Sequence, residues 1–134
     1  MNSAPSVVSF IRVYRKKIMT LLVSKKRISI FERDKYLCQY CGKLLTLEQC
    51  SIDHKIATSR KGTNGSLNLV TCCSSCNSSK GPRSIEAFRL TCRVKKSPYA
   101  SVVQGHTVKK LMNLGIVFPL LEEHLFFFEQ GEEK

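Results

Sequence analysis

From Val7 to Leu22 the apolar residues Val7, Phe10, Ile11, Tyr14, Ile18, Leu21 and Leu22 recur at the steps that line one helical face. The pairs Val7-Val8 and Phe10-Ile11, with Val13, suit a strand equally, and the pattern leaves both open. Ser24 to Arg33 alternates basic and apolar residues and predicts a short strand or helix running into Cys38 through Arg33-Asp34-Lys35. Residues 55–67 replace any apolar period with Lys, Ser, Thr, Gly and Asn, which predicts an exposed loop. Leu69-Val70-Thr71 is β-prone, and a helix is expected from Ser74 with Ser74 or Ser75 as its cap. The predicted order is therefore strand, loop, strand, helix.

Beyond Gly81-Pro82 a second helix is predicted from Ser84 to about Val94, burying Ile85, Phe88, Leu90 and Val94 and leaving Arg89 and Arg93 to solvent. Lys95 to Tyr99 ends it. A shorter helix is expected from Thr107 to Leu114, capped by Thr107 and stopped by Gly115. Leu125 to Phe128 reads as an apolar strand or an interface, with core packing the plainer alternative. No internal repeat or low-complexity tract interrupts the chain.

Charge narrows the choice of partner. The 134 residues carry a net charge of +12, a field that attracts polyanions, so nucleic acid is the expected partner. The last 13 residues hold five glutamates and one lysine, which makes an acidic tail best read as a solvated end. The N-terminal apolar stretch is broken by Arg12 and by Arg15, Lys16 and Lys17, so neither a secretory h-region nor a membrane span is expected.

Seven cysteines without a secretory signal favour metal-bound thiolates in a reducing compartment over disulfides. Cys38-Gln39-Tyr40-Cys41 and Cys73-Ser74-Ser75-Cys76 each put two sulfurs on one side of a tight turn, and 31 residues separate the pairs. Four such sulfurs make a closed tetrahedral zinc site, structural because no position stays open. Cys72 offers a second register, needing a three-residue spacer to Cys76. Cys73 is preferred, and Cys50, Cys72 and Cys92 are read as packing residues.

Between the pairs lie Asp53-His54, then Asn68, and Asn77 directly after the last cysteine, with Lys80 about one helical turn on. The segment from about 27 to 83, with FERDKYLCQYCGK before and NLVTCCSSCNSSKG after, resembles the HNH endonucleases of the ββα-metal or His-Me finger fold. The resemblance implies an α+β nuclease core at 27–83; outside it, charge and periodicity predict a basic N-terminal arm at 1–26 and a C-terminal helical extension with an acidic tail at 84–134, all one globular domain. The resemblance also implies that His54 activates water, that Asp53 and Asn77 hold a catalytic divalent cation, and that Asn68 braces the loop and the histidine.

Oxygen donors at Asp53 and Asn77 point to Mg²⁺ or Mn²⁺. Phosphodiester hydrolysis needs a base active near neutral pH and a cation to stabilise developing charge, which this set supplies. Arg60, Lys61, Lys80 and Arg83 are candidate phosphate contacts, or else solvated surface charges. Ala57 stands where the family usually has proline, and Thr63 where it has a second glycine. The implied activity is cleavage of DNA in the cytoplasm of a bacterial or phage-infected cell; one active site nicks one strand, and cutting both strands would need a homodimer or two encounters. The alternative is a zinc-containing module that binds nucleic acid without cutting it.

Overall fold

A computed structural model describes residues 6–131. The ambiguous first segment is a helix, α1, over Val7–Leu22. A strand needs a partner ladder and a helix satisfies its own backbone, and no described strand lies beside this segment. Val7, Val8, Phe10, Ile11, Val13 and Tyr14 are exposed on it. α2 spans Lys25–Arg33, starts where the Ser24 hydroxyl accepts from the Arg27 N–H, and buries Ile30 and Phe31.

The chain then turns through Lys35 and Tyr36, both with positive φ, into the first cysteine pair. This knuckle is closed by Cys38 N–H to the Lys43 carbonyl at 2.9 Å and Gly42 N–H to the Cys38 carbonyl at 2.8 Å. Gly42 has φ +77°, and a side chain there would meet the Phe127 ring at 2.9 Å, so glycine is required on two counts.

β1 (Ser51–His54) and β2 (Leu69–Cys72) pair antiparallel with Ser51 opposite Cys72 and His54 opposite Leu69. β2 is buried at every position because it is covered on both faces. Asp34 accepts from the Thr71 N–H at 2.8 Å, Gln39 N–H donates to the Thr71 carbonyl at 2.9 Å, and Arg33 reaches the Leu69 carbonyl at 2.8 Å. α3 (Ser74–Lys80) follows directly and packs on β1. Its cap is the Cys73 sulfur, which accepts from the Cys76 N–H, and neither serine expected there caps it. The sulfur lies one residue nearer the strand and its geometry is already fixed by the other cysteines. The fold is thus α+β, with a strand, loop, strand, helix centre of ββα-metal type.

α4 (Ile85–Lys96) starts at a Ser84 cap and buries Phe88, Leu90 and Val94. α5 spans Gly105–Asn113, two residues ahead of the expected start and with Gln104 as cap. The reason is packing: a side chain on Gly105 would meet Thr91 of α4 at 2.9 Å, so the small residue marks where the helices touch. Leu90, Val94 and Val108 make a small second core there, flanked by Tyr99, Val103, Phe118 and Leu121.

The main core joins Phe31, Cys38, Tyr40, Leu45, Cys50, Val70, Cys72, Phe88 and Phe126. Phe126 stacks on Phe88 at 5.0 Å and meets Tyr40 edge-on at 5.3 Å. The N–H groups of Phe127 and Phe128 bond to the carbonyls of Tyr40 and Gln39, so the Leu125–Phe128 segment is core packing laid along the knuckle. Leu125 itself is exposed.

Arg89 and Arg93 are not left to solvent. Arg89 donates to Glu129 at 2.5 and 2.7 Å and to the His124 carbonyl at 2.8 Å, and Arg93 donates to the carbonyls of Leu121 and Glu122 at 2.9 Å. The returning chain hides both arginines, a long-range effect invisible in helical periodicity. Part of the acidic tail is therefore folded down, whereas residues 132–134 lie outside the described residues.

The Arg89 hydrogen bonds hold the Glu129 carboxyl below its usual range, against the opposing effect of burial. A depressed folded-state pKa stabilises above the unfolded value and is lost as pH falls through the folded one. Glu129→Gln should therefore cost about 2 kcal/mol near pH 7 and almost nothing in strong acid. Thermal denaturation of both proteins across that range is the check, and a pH-independent difference would contradict it.

Candidate active site and metal centre

The two cysteine pairs converge although they lie on different elements. The sulfurs of Cys38, Cys41, Cys73 and Cys76 all fall within 4.8 Å of one another, with 4.0 Å between Cys41 and Cys73. A zinc–sulfur bond of about 2.3 Å implies sulfur separations of about 3.8 Å in a tetrahedron, so the donor set fits zinc in both chemistry and spacing.

Crowding makes the thiols unequal. A hydrogen bond from Cys76, more than the backbone N–H groups of Cys41, Cys73 and Tyr40, pulls the Cys38 thiol well below its ordinary range despite burial. Cys76 is raised, first by that same bond and then by burial, and Cys41 is raised mainly by burial. One negative charge discourages the next, which is the condition a cation relieves. Cys72 is wholly buried and its thiol donates to the Ser51 carbonyl, and with Cys50 and Cys92 it stays outside the cluster.

Asp53 and His54 end β1, on the strand that α3 covers. Asn68, just before β2, holds the loop between them: its Oδ1 accepts from the Ile56 N–H at 2.9 Å, and its Nδ2 donates to the carbonyls of Ile56 and Thr63 at 3.0 and 2.8 Å. All three bonds go to backbone, and none to the imidazole. Asn68 reaches the histidine only indirectly, through its carbonyl, which accepts from the Lys55 N–H at 2.8 Å.

The loop is tight where Gly62 passes Ile56, since a side chain on Gly62 would lie 1.7 Å from the Ile56 carbonyl oxygen. Ala57 takes φ −58° and ψ 147°, values a proline shares, so the family's usual residue would fit the same backbone. Thr63 accepts the brace through its carbonyl, which needs no glycine.

The side-chain partner of His54 is Asn64, whose Oδ1 lies 2.8 Å from Nε2. An amide oxygen only accepts, so Nε2 is the donor of this bond, and Nδ1 has no hydrogen-bond partner among the described residues. Asn64 is held in turn by Lys26, which donates to its carbonyl at 2.5 Å.

Asp53 is nearly buried, and its Oδ2 is taken twice, by the Tyr40 hydroxyl at 2.5 Å and the Lys80 ammonium at 3.1 Å. Lys80 also donates to the His54 carbonyl at 2.8 Å. At 0 % exposure it is an internal counter-ion and offers nothing to a phosphate, a correction to its reading as a nucleic-acid contact. Helical position brought it under β1, where a carboxylate and a carbonyl compensate its desolvation. Burial first, and then the bond to Asp53, raise the Tyr40 phenol far above its usual range, so it stays a proton donor.

Asn77 sits half-buried on α3, and its side chain makes no hydrogen bond among the described residues; Oδ1 of Asp53 likewise has none. A carboxylate oxygen and an amide oxygen are donors of the kind that hard divalent cations prefer. Arg60, Lys61 and Arg83 are exposed. Arg60 donates to the Pro82 carbonyl, Arg83 to the Ser79 carbonyl, and Lys61 takes a left-handed backbone at the end of a turn of 3-10 helix over Thr58–Arg60.

Sequence reasoning missed Tyr40 and Asn64. Tyr40 had a signal, as a polar aromatic inside a knuckle whose hydroxyl needs a partner once buried. Asn64, in a run of small polar residues, had none.

Among solved structures, the crystal structure of the Type II-C Cas9 enzyme from Actinomyces naeslundii is similar over 63 % of this chain, at 21 % identity and a TM-score of 0.47. The matched part is 10 % of that enzyme's chain. No curated protein matches. Among the described residues no helix is long and apolar enough to cross a membrane. The family model described as HNH endonuclease matches residues 38–83, the stretch that holds both cysteine pairs, Asp53, His54, Asn68 and Asn77. Over that stretch, about a third of its length, the chain is similar to the HNH endonucleases.

Proposed function

We propose that this chain is a metal-dependent endonuclease that hydrolyses phosphodiester bonds in DNA, with a core at 27–83, a basic arm at 1–26 and an extension at 84–134. One observation carries the reading. At the end of β1 an imidazole is held through Nε2 and a carboxylate through Oδ2, and each keeps its other heteroatom uncommitted among the described residues.

Nδ1 of His54 accepts the proton from a water whose oxygen attacks phosphorus. The bond from phosphorus to the 3′ oxygen breaks, which leaves a 3′-hydroxyl and a 5′-phosphate once that oxygen has taken a proton from solvent. Mg²⁺ or Mn²⁺ bound by Asp53 and Asn77 would stabilise charge on the phosphate and the leaving oxygen, with water and phosphate oxygens completing its shell. Arg60, Lys61 and Arg83 are the exposed cations that bind neighbouring phosphates. The four cysteines hold a structural zinc that fixes α3 and, through it, Asn77. Asn68 is a positioning residue that acts through the loop.

His54→Ala should fold, bind DNA with unchanged affinity and nick supercoiled plasmid slower by a factor of about 10² to 10⁴. Near wild-type nicking would sink the mechanism, and a wild-type protein that binds plasmid but leaves it intact with every divalent cation would be the non-catalytic module instead. Binding without Mg²⁺ should weaken steeply between about 50 and about 200 mM salt, because each neutralised phosphate contributes about −0.9 to the logarithmic slope. A flat profile would remove nucleic acid as the partner.

The two metals should separate on washing with chelator, since four thiolates bind zinc far more tightly than two oxygens bind Mg²⁺. A brief wash should stop nicking while elemental analysis still finds about one zinc per chain, and Mg²⁺ or Mn²⁺ alone should restore activity. Cys76→Ser should lose zinc and the folded state together. Recovery only with added zinc, or a folded and active Cys76→Ser, would refute this division.

A further inference from the structure

Asp53 is held more firmly than a metal ligand at a strand end needs to be. Tyr40, itself only 2 % exposed, points its hydroxyl at Oδ2, and the fully buried Lys80 ammonium approaches the same oxygen. Neither touches solvent to any useful extent, so neither serves as a general acid or a phosphate contact. Both donors converge on one of two equivalent oxygens, and the other has no hydrogen-bond partner among the described residues.

Tyr40 occupies a telling place in the chain, between Cys38 and Cys41. Its backbone is fixed on one side by the sulfur cluster and on the other by the Phe127 N–H, which donates to its carbonyl at 3.1 Å. Its ring is wedged edge-on against Phe88 and Phe126, each at 5.3 Å. The phenol therefore has almost no freedom, and the carboxylate it binds inherits that rigidity.

We propose that Tyr40 is a positioning residue for the catalytic cation: with Lys80 it occupies Oδ2 of Asp53 and so presents Oδ1 as the metal-facing oxygen, linking the zinc knuckle directly to the catalytic ligand. The inference rests on Asp53 being a ligand of that cation. Groups that orient a ligand from behind change metal affinity by about 10- to 100-fold when removed, without touching the metal. Zinc in the knuckle and the second cation are then linked through one side chain, in addition to the link through α3 and Asn77.

The test uses the zinc-loaded full chain and three proteins: wild type, Tyr40→Phe and Asp53→Asn. Mn²⁺ is the probe, and its binding is measured from the loss of the free-ion signal in electron paramagnetic resonance. Tyr40→Phe should keep one zinc per chain and the wild-type circular dichroism, yet bind Mn²⁺ at least about 10-fold more weakly. In plasmid nicking the half-saturating Mg²⁺ concentration should rise in step, while the rate at saturating Mg²⁺ changes little. Asp53→Asn should lose Mn²⁺ binding.

Wild-type Mn²⁺ affinity in Tyr40→Phe, alongside the expected loss in Asp53→Asn, would overturn the positioning role alone. Loss of zinc from Tyr40→Phe would also overturn it, by making the hydroxyl a support of the knuckle. Unchanged Mn²⁺ binding by Asp53→Asn would overturn the ligand assignment beneath it.

Discussion

Four sulfurs brought within 4.8 Å of one another from two segments 31 residues apart are the constraint on which the rest of this molecule hangs. The first pair belongs to a turn without regular structure and the second to a seven-residue helix, neither of which would hold its shape alone. Between them the two pairs enclose the β1–β2 hairpin. Ionised thiolates this close repel one another, and a bound cation would turn that repulsion into a tie between the two segments. Three residues of the proposed site lie next to this cluster: Asn77 follows Cys76, Tyr40 precedes Cys41, and Asp53 is hydrogen-bonded to Tyr40.

Beneath the hairpin a second constraint works through desolvation. Burying the Lys80 ammonium is costly, and removing either partner would strand a charge, so Lys80 and Asp53 stabilise each other's placement more than they stabilise the fold. The ammonium also binds the His54 carbonyl, which ties the backbone of His54 to the carboxylate beside it. Exposed ion pairs such as Arg93 with Glu123 contribute far less, because water screens them.

Much of this was legible in the sequence. The cysteine spacing identified the four clustered sulfurs and left out Cys50, Cys72 and Cys92, and the polar run of 55–67 appeared as a loop between two strands. What escaped depended on contacts distant in the chain. Lys80 looks like any lysine near a helix end until β1 is laid over it. Arg89 and Arg93 follow the solvent-facing period of α4 until residues 121–129 return across them. Gly105 belongs to α5 because Thr91 lies against it, a fact of helix packing with no local signature. Periodicity reports which face is apolar and says nothing about which polar group another segment will cover.

A chain of net charge +12 could oppose its own compaction, and its ten acids could oppose the approach of a polyanion. Asp34 pairs with Arg33, Asp53 with Lys80, and Glu129 with Arg89, so these three largely covered acids are bound to cations of the fold. Lys55, Arg60 and Lys61 on the loop between β1 and β2 form no ion pair among the described residues. Among the described residues the fully buried cation, Lys80, is paired with Asp53, whereas Lys55, next to His54 in the chain, is left without an ion pair.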